Sequence, residues 1–388
     1  MTILQKKHSG VFRRFCRNLK RLSHVHYPSF IYGRPIKETE NLVFVYHDVS
    51  STTFESDLKF LKMNGYRTIG IEEFFREHKN AVRNKNRKNV LLTFDDARKN
   101  FFQTAFPLLI KYNLRATVFV STLWVKRRIN AKKIHVNDTS NDLFMDWNDL
   151  RLCNDSGLID IESHGSRHAL IYTSPVLEAF TTPELLEKHD IFDWPMRRDM
   201  GRDVLGKPEP GTPLYGARPL LSAKYRLIED GHVAKICAKF VTTNGGESFF
   251  QKKDWYNRLY SVFMEECGVS TGFKKVTKER FNDEINNEFT VANAEFLQAL
   301  GRPPSFFAFP WELGSKGAIS AAAESGIRAL FGVGMDYSRI QKMHFPLPCF
   351  YRLKGEWLRF LPGKGRKKMG RIFLEKIKEF FKTQHLVH

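Results

Sequence analysis

The chain has 388 residues, 42% hydrophobic and 27% charged, a composition that excludes wholesale disorder. Lys and Arg number 62 against 42 Asp and Glu, a formal net charge of +20. No apolar run approaches the ~20 residues that span a bilayer, and the basic residues near the N-terminus are not followed by the apolar core of a secretion signal. A cytoplasmic chain is therefore expected. Five cysteines (Cys16, Cys153, Cys237, Cys267, Cys349), odd in number and without CxxC spacing, speak against a disulfide framework and fit a reducing compartment. Cys153 and Cys349 read as small buried apolar side chains.

The charge sits at the ends. Residues 1–35 hold eight basic residues and no acid, and residues 361–388 hold eight basic residues and two Glu, so the ends carry +8 and +6. A middle close to balance speaks against a nucleic-acid groove, and no nucleic-acid partner is expected. Phe12, Phe15, Leu19 and Leu22 recur at helical spacing among Arg13, Arg14, Arg17, Lys20 and Arg21. Met369, Ile372, Phe373, Ile377, Phe380 and Phe381 repeat the pattern. Such helices suit an anionic membrane surface, which makes peripheral attachment at the inner membrane one expectation; helices packed on the barrel with a solvated charged face are the other.

In chain order, Leu42–His47 predicts a buried strand, and Phe54, Leu58 and Leu61 predict a helix ending at Asn64-Gly65. Thr68–Ile71 reads as a strand before a polar loop at Lys79–Lys88. Val90–Phe94, Ala116–Ser121 and Leu158–Glu162 read as strands, with helices through Phe101, Ala105 and Leu108 and over Trp147–Asp155. Strands alternating with helices predict parallel βα units, in a doubly wound sheet or a barrel. The alternation breaks at Ala169 in a stretch carrying seven prolines, too long for a bare loop and so a structured insertion. Its aromatics, among them Phe180, Phe192, Trp194, Tyr215, Tyr225, Trp255 and Tyr256, predict a satellite core. The pattern resumes with a helix at Phe289–Leu300, a strand at Phe306–Phe309, a helix at Ala318–Ser325 and a strand at Arg328–Val333. The expected division is a basic arm 1–36, a first barrel part 37–168, an insertion 169–287, a second barrel part 288–362 and a basic helix 363–388.

Polar clusters end four of these strands: His47-Asp48, Asp95-Asp96, His164 with His168, and Pro310-Trp311-Glu312. In a parallel α/β fold that edge is where sites form. If Gly165–His168 turns, both imidazoles can face one point, and a nearby carboxylate completes a two-histidine, one-carboxylate metal set. Two exposed loop histidines remain the plain reading of that spacing by itself. Adjacent aspartates point different ways, so one can bind metal while the other stays free as a base.

Thr93-Phe94-Asp95-Asp96-Ala97, His164-Gly165-Ser166-Arg167-His168 and Phe307-Ala308-Phe309-Pro310-Trp311 resemble, in order, spacing and strand context, the first three motifs of the polysaccharide deacetylases (carbohydrate esterase family four). The resemblance covers Asn41–His168 and resumes over Phe289–Val333. It implies a distorted (β/α) barrel with a large insertion, and an amidohydrolase that removes an N-acetyl group from an amino sugar of a bacterial surface polysaccharide or its lipid-linked precursor. It further implies that Asp96, His164 and His168 bind one divalent ion, zinc, and that Asp95 is the general base. The Trp311 N–H would hold the oxyanion, and His47, Pro310, Trp311 and Glu312 would line the substrate site. Departures from the family pattern are Ala97 and Glu312 where glycine is usual, Gly165 where Ser or Thr is usual, and Ala308 in place of an arginine that orients the base. No Leu-x-His motif supplies the general acid; His344, His47 and Glu312 are the candidates. The rival expectation is a non-catalytic glycan-binding relative that kept the fold.

Overall fold

The computed structural model describes residues 28–367, apart from 38–39, 80–87, 126–134, 137–142, 270–271 and 333–345. The basic helices expected at both ends and the candidate His344 lie outside the described residues.

Nine short strands form one parallel sheet: β1 Val43–Tyr46, β2 Arg67–Thr68, β3 Asn89–Phe94, β4 Ala116–Val120, β5 Ile159–Ser163, β6 Phe306–Ala308, β7 Ala329–Phe331, β8 Cys349–Phe350 and β9 Leu353–Lys354. The spatial order is β8-β7-β6-β5-β4-β3-β1-β9, with β2 paired to the start of β3. The strands at the two ends of that order are successive parts of one extended segment. β8 pairs with β7 and β9 with β1, and only Tyr351 and Arg352 separate them. The sheet is thus curled until its edges meet, giving the distorted barrel that the motifs imply.

Side-chain alternation divides the core into two. Val43, Leu91, Phe119, Phe306, Ala308, Ala329, Phe331 and Phe350 form one cluster. Their strand neighbours Phe44, Leu92, Val118 and Val120 pack in another with Phe54, Leu58 and Leu61 of helix α1 (Ser51–Met63). Both faces of these strands are therefore buried, which is why most of them read as apolar runs; β5 differs, with Asp160 and Glu162 among its apolar residues.

Two expectations are corrected. The strand expected to reach Ile71 stops at Thr68, and Ile71–Lys79 is a helix, α2. Ile71, Phe74, Phe75 and His78 are spaced for a helix, and its start is capped from afar: the Asp160 carboxylate on β5 accepts from the Ile71 N–H at 2.8 Å. A cap from another strand leaves no local signal. The helix expected at Phe289 begins at Lys278, capped by Thr277 and closed by Gly301 at φ 71°. Phe281, Ile285 and Phe289, four apart, are buried on one face. The helix Trp147–Asp155 forms as expected.

The segment after His168 is folded. Leu170–Phe180 pairs antiparallel with Pro213–Pro219, and the helices His232–Thr243 and Trp255–Val269 pack beside them. Tyr172, Phe180, Tyr215, Cys237, Phe249 and Phe263 make the expected second core, whereas Tyr225 and Tyr256 are exposed. Buried Arg226 ties this segment to the long helix by bonding both Asp203 and Glu284. Cys153 is buried as expected, but Cys349 is half-buried, since it lies on an edge strand and its Sγ bonds the Leu347 carbonyl.

Candidate metal centre

The polar clusters at the ends of β1, β3, β5 and β6 meet at one rim. Directly after β5, His164 is fully buried, and its Nδ1 lies 2.7 Å from the Ala308 carbonyl on β6. A carbonyl only accepts, so Nδ1 carries the proton and Nε2 keeps its lone pair. That Nε2 lies 3.6 Å from Asp96 Oδ1 and 3.7 Å from Asp95 Oδ2. His168 Nε2 lies 3.4 Å from the same Asp96 Oδ1.

The turn that returns His168 to the site is held by a residue the sequence reading passed over. Glu288, buried on the long helix, accepts from the Ser166 N–H at 3.0 Å, the Arg167 N–H at 2.9 Å and Arg167 Nε. Gly165 takes φ 86°, and a Cβ there would sit 3.2 Å from the Glu288 carboxylate, so glycine is what lets the two approach. His168 itself is left-handed at φ 48°.

The donor set fits a divalent ion. Asp96, His164 and His168 offer ligand atoms within 4.8 Å of one another, and all three residues are buried. Asp96 Oδ1, to which both imidazoles point, has no hydrogen-bond partner. A buried carboxylate oxygen facing the lone pair of His164 Nε2 and a second imidazole nitrogen, with no hydrogen bond of its own, is a costly arrangement without a cation. Tetrahedral bonds of ~2.0–2.1 Å would place ligand atoms about 3.3 Å apart, close to the separations present. Burial pulls His164 down to a pKa of about 4 and His168 to about 3, so both are neutral near pH 7.

Asp95 stands beside this set and is held differently. Burial by itself would raise its pKa, but the Arg352 charge, helped by His164 and His47, overrides that and holds it well below the usual carboxylate range. Arg352 Nη1 and Nη2 each lie 2.7 Å from one Asp95 oxygen. Both residues are buried, and the guanidinium also lies over the Phe119 ring. Arg352 is one of the two residues joining β8 to β9, so the closure of the barrel brings it in. Asp95 thus has an arginine partner, brought by a different strand end from that of Ala308.

Glu312 Oε1 is 3.4 Å from Arg352 Nε, with a quarter of the side chain exposed. Desolvation raises its pKa against the pull of Arg352, and nearby Asp95 raises it further. Trp311 packs its ring 4.1 Å from the His168 ring, Pro310 is buried beneath, and His47 stands exposed at the end of β1. Of the seven left-handed non-glycine residues among the described ones, five lie in this site: Asp96, Ala97, His168, Trp311 and Glu312. Ala97 at φ 54° and Glu312 at φ 57° thus keep the backbone that glycine would adopt freely, at a cost of roughly 1–2 kcal/mol each.

Fold and site together define an α/β barrel with a metal-competent rim. Residues 82–190, the stretch that carries Asp95, Asp96, His164 and His168, match the family described as polysaccharide deacetylase. A Bacillus subtilis protein, YxkH, whose name places it among polysaccharide deacetylases, is 34% identical over 89 residues, 20% of this chain and 30% of its own. The poly-β-1,6-N-acetyl-D-glucosamine N-deacetylase of Staphylococcus aureus (strain MSSA476) is 33% identical over 76 residues, 20% of this chain and 26% of its own. The matches thus span less than a third of either relative's length. A solved de-N-acetylase from Aggregatibacter actinomycetemcomitans superposes with a TM-score of 0.49 at 17% identity, over 81% of this chain and 94% of that one.

Proposed function

We propose that this chain is a metal-dependent hydrolase that removes the N-acetyl group from an amino sugar of a bacterial surface polysaccharide or its lipid-linked precursor. The observation that carries the reading is the pairing of two unlike carboxylates. Asp96 Oδ1 faces His164 and His168 with no other partner, while Asp95 beside it is held ionised by Arg352. A binding protein has no use for a second buried carboxylate kept charged, and that weighs against a non-catalytic relative.

Asp96, His164 and His168 would hold the ion, with zinc our choice for a site of two imidazoles and one carboxylate. When bound, such an ion polarises an amide carbonyl and acidifies a water. The chain's own groups do the rest. Asp95 accepts the proton of the attacking water; each of its oxygens keeps a lone pair beyond the bond to Arg352. Arg352 fixes its orientation and keeps it ionised through the working range. The Trp311 N–H is the donor we assign to the oxyanion, a task suited to a main-chain group already fixed in place. The C–N bond then breaks, acetate leaves, and the sugar amine takes a proton from Glu312, whose pKa desolvation raises from the usual carboxylate value.

The test is acetate release by the full chain from a panel of N-acetylated amino-sugar oligomers and lipid-linked sugars, with and without added zinc. Release that depends on zinc and on Asp95 supports the reading. A zinc-loaded chain that binds these glycans but releases no acetate would make it a non-catalytic relative.

A further inference from the structure

We propose that Arg98 and Asp190 are positioning residues for the metal ligand Asp96, and that through them the inserted segment helps to form the metal site; the proposal rests on the metal reading above. Arg98 is buried two residues after Asp96. Its Nε and Nη2 each lie 3.4 Å from Asp96 Oδ2, the oxygen turned away from the histidines. The same Nη2 donates to Asp190 Oδ1 at 2.8 Å, across 92 positions of sequence.

The contact is built from both sides. The guanidinium lies against two rings that pack on each other, 5.4 Å from that of Phe144 and 5.1 Å from that of Phe192. Phe192 belongs to the short turn Ile191–Asp193 that Asp190 opens: Asp190 Oδ1 accepts from the Phe192 N–H at 3.2 Å, and Asp193 Oδ2 accepts from the Asp190 N–H at 3.0 Å. The Phe192 ring in turn packs 4.0 Å from the His168 ring. One turn of the inserted segment therefore touches two of the three ligands, His168 directly and Asp96 through Arg98.

Two physical consequences follow. A carboxylate that ligates through one oxygen can swing about its side-chain torsions, and a hydrogen bond to the other oxygen removes that freedom, the usual work of groups behind a ligand. Arg98 also brings a positive charge to a site that must attract a cation. Asp190 offsets it, so Asp96, Arg98 and Asp190 together carry a single negative charge. Arg98 supplies geometry and Asp190 supplies charge balance.

The experiment measures the Zn²⁺ dissociation constant of the full chain by competition with a chromophoric chelator, with Co²⁺ absorption as a reporter of ligand geometry. Arg98→Met keeps an apolar side chain against the two rings without the hydrogen bonds, and is expected to weaken zinc by about ten- to a hundredfold and to change the cobalt bands. Arg98→Lys keeps the charge but not the fork, and is expected to restore part of the loss. Asp190→Asn is expected to weaken zinc less, and adding it to Arg98→Met should cost nothing further, because Asp190 acts through Arg98. If Arg98→Met does not fold, Asp190→Asn decides alone, since that side chain is 42% exposed and open to substitution. A chain that binds zinc stoichiometrically, with affinity and cobalt bands unchanged in both variants, overturns this proposal and leaves the proposed function standing. A wild-type chain that binds no zinc overturns both.

Discussion

Replacing Arg352 by Met should cost more stability than any single change at the protein surface. The guanidinium makes two 2.7 Å bonds to Asp95, and its side chain is 0% exposed against 3% for Asp95. Removing one partner of a buried pair leaves an uncompensated charge, a loss of ~3–5 kcal/mol. Asp95→Asn should cost a similar amount for the mirror reason, less whatever Glu312, 3.4 Å from Arg352 Nε, compensates. The double variant has no buried charge to strand and loses only the hydrogen bonds of a buried amide, ~1–3 kcal/mol. The coupling energy should therefore reach about 3 kcal/mol or more. Urea titrations followed by tryptophan fluorescence, with a chelator present so that no metal enters the balance, measure all four proteins. Asp95 has its pKa depressed in the folded state, so the pair stabilises fully above the unfolded carboxylate value near pH ~4 and loses that stabilisation as pH falls further. A coupling energy below about 1 kcal/mol at neutral pH would show that Arg352 does not hold Asp95 as an ionised group.

The two aspartates should separate by phenotype: Asp95→Asn binds zinc near normally with most turnover lost, whereas Asp96→Asn binds zinc weakly, as parallel titrations and acetate assays would record. If Asp95→Asn turned over normally at saturating zinc, the base would be another group. As the acid we propose, Glu312 contributes below its raised pKa and loses that contribution as pH rises through it; Glu312→Gln should lower kcat and flatten the alkaline limb of the pH–rate profile, and an unchanged limb would assign that limb elsewhere. We further propose that the +8 and +6 ends hold the protein to anionic membranes. The full chain should then co-sediment with anionic vesicles at low salt and be released when both ends are removed; a full chain left in solution would refute this.

What was legible in the sequence followed from local pattern. The strands that end at the rim each deliver a polar group just past their last residue, β3 and β6 as largely apolar runs and β5 with Asp160 and Glu162 between its apolar residues, so Asp95, Asp96, His164 and Trp311 could be placed on one rim from the sequence. What escaped depends on contacts between distant segments. Arg352 lies in Cys349-Phe350-Tyr351-Arg352-Leu353, a run too short and too interrupted to read as a strand, yet a lone arginine among apolar residues was a signal that it is buried with an acid. Glu288 stood one residue before the expected helix, and only its reach to the Ser166 and Arg167 N–H groups sets it apart. Asp190 stood in a segment whose path over the rim no periodicity reveals. Ala308 was read as a missing arginine; the barrel closure brings Asp95 an arginine partner from a different strand end.

The most direct test is the metal content of the purified full chain after incubation with zinc and removal of the excess, set beside that of His164→Ala and His168→Ala. The account predicts one equivalent of zinc in the wild type and its loss in both variants. A wild type without zinc, or variants that retain a full equivalent, would contradict it.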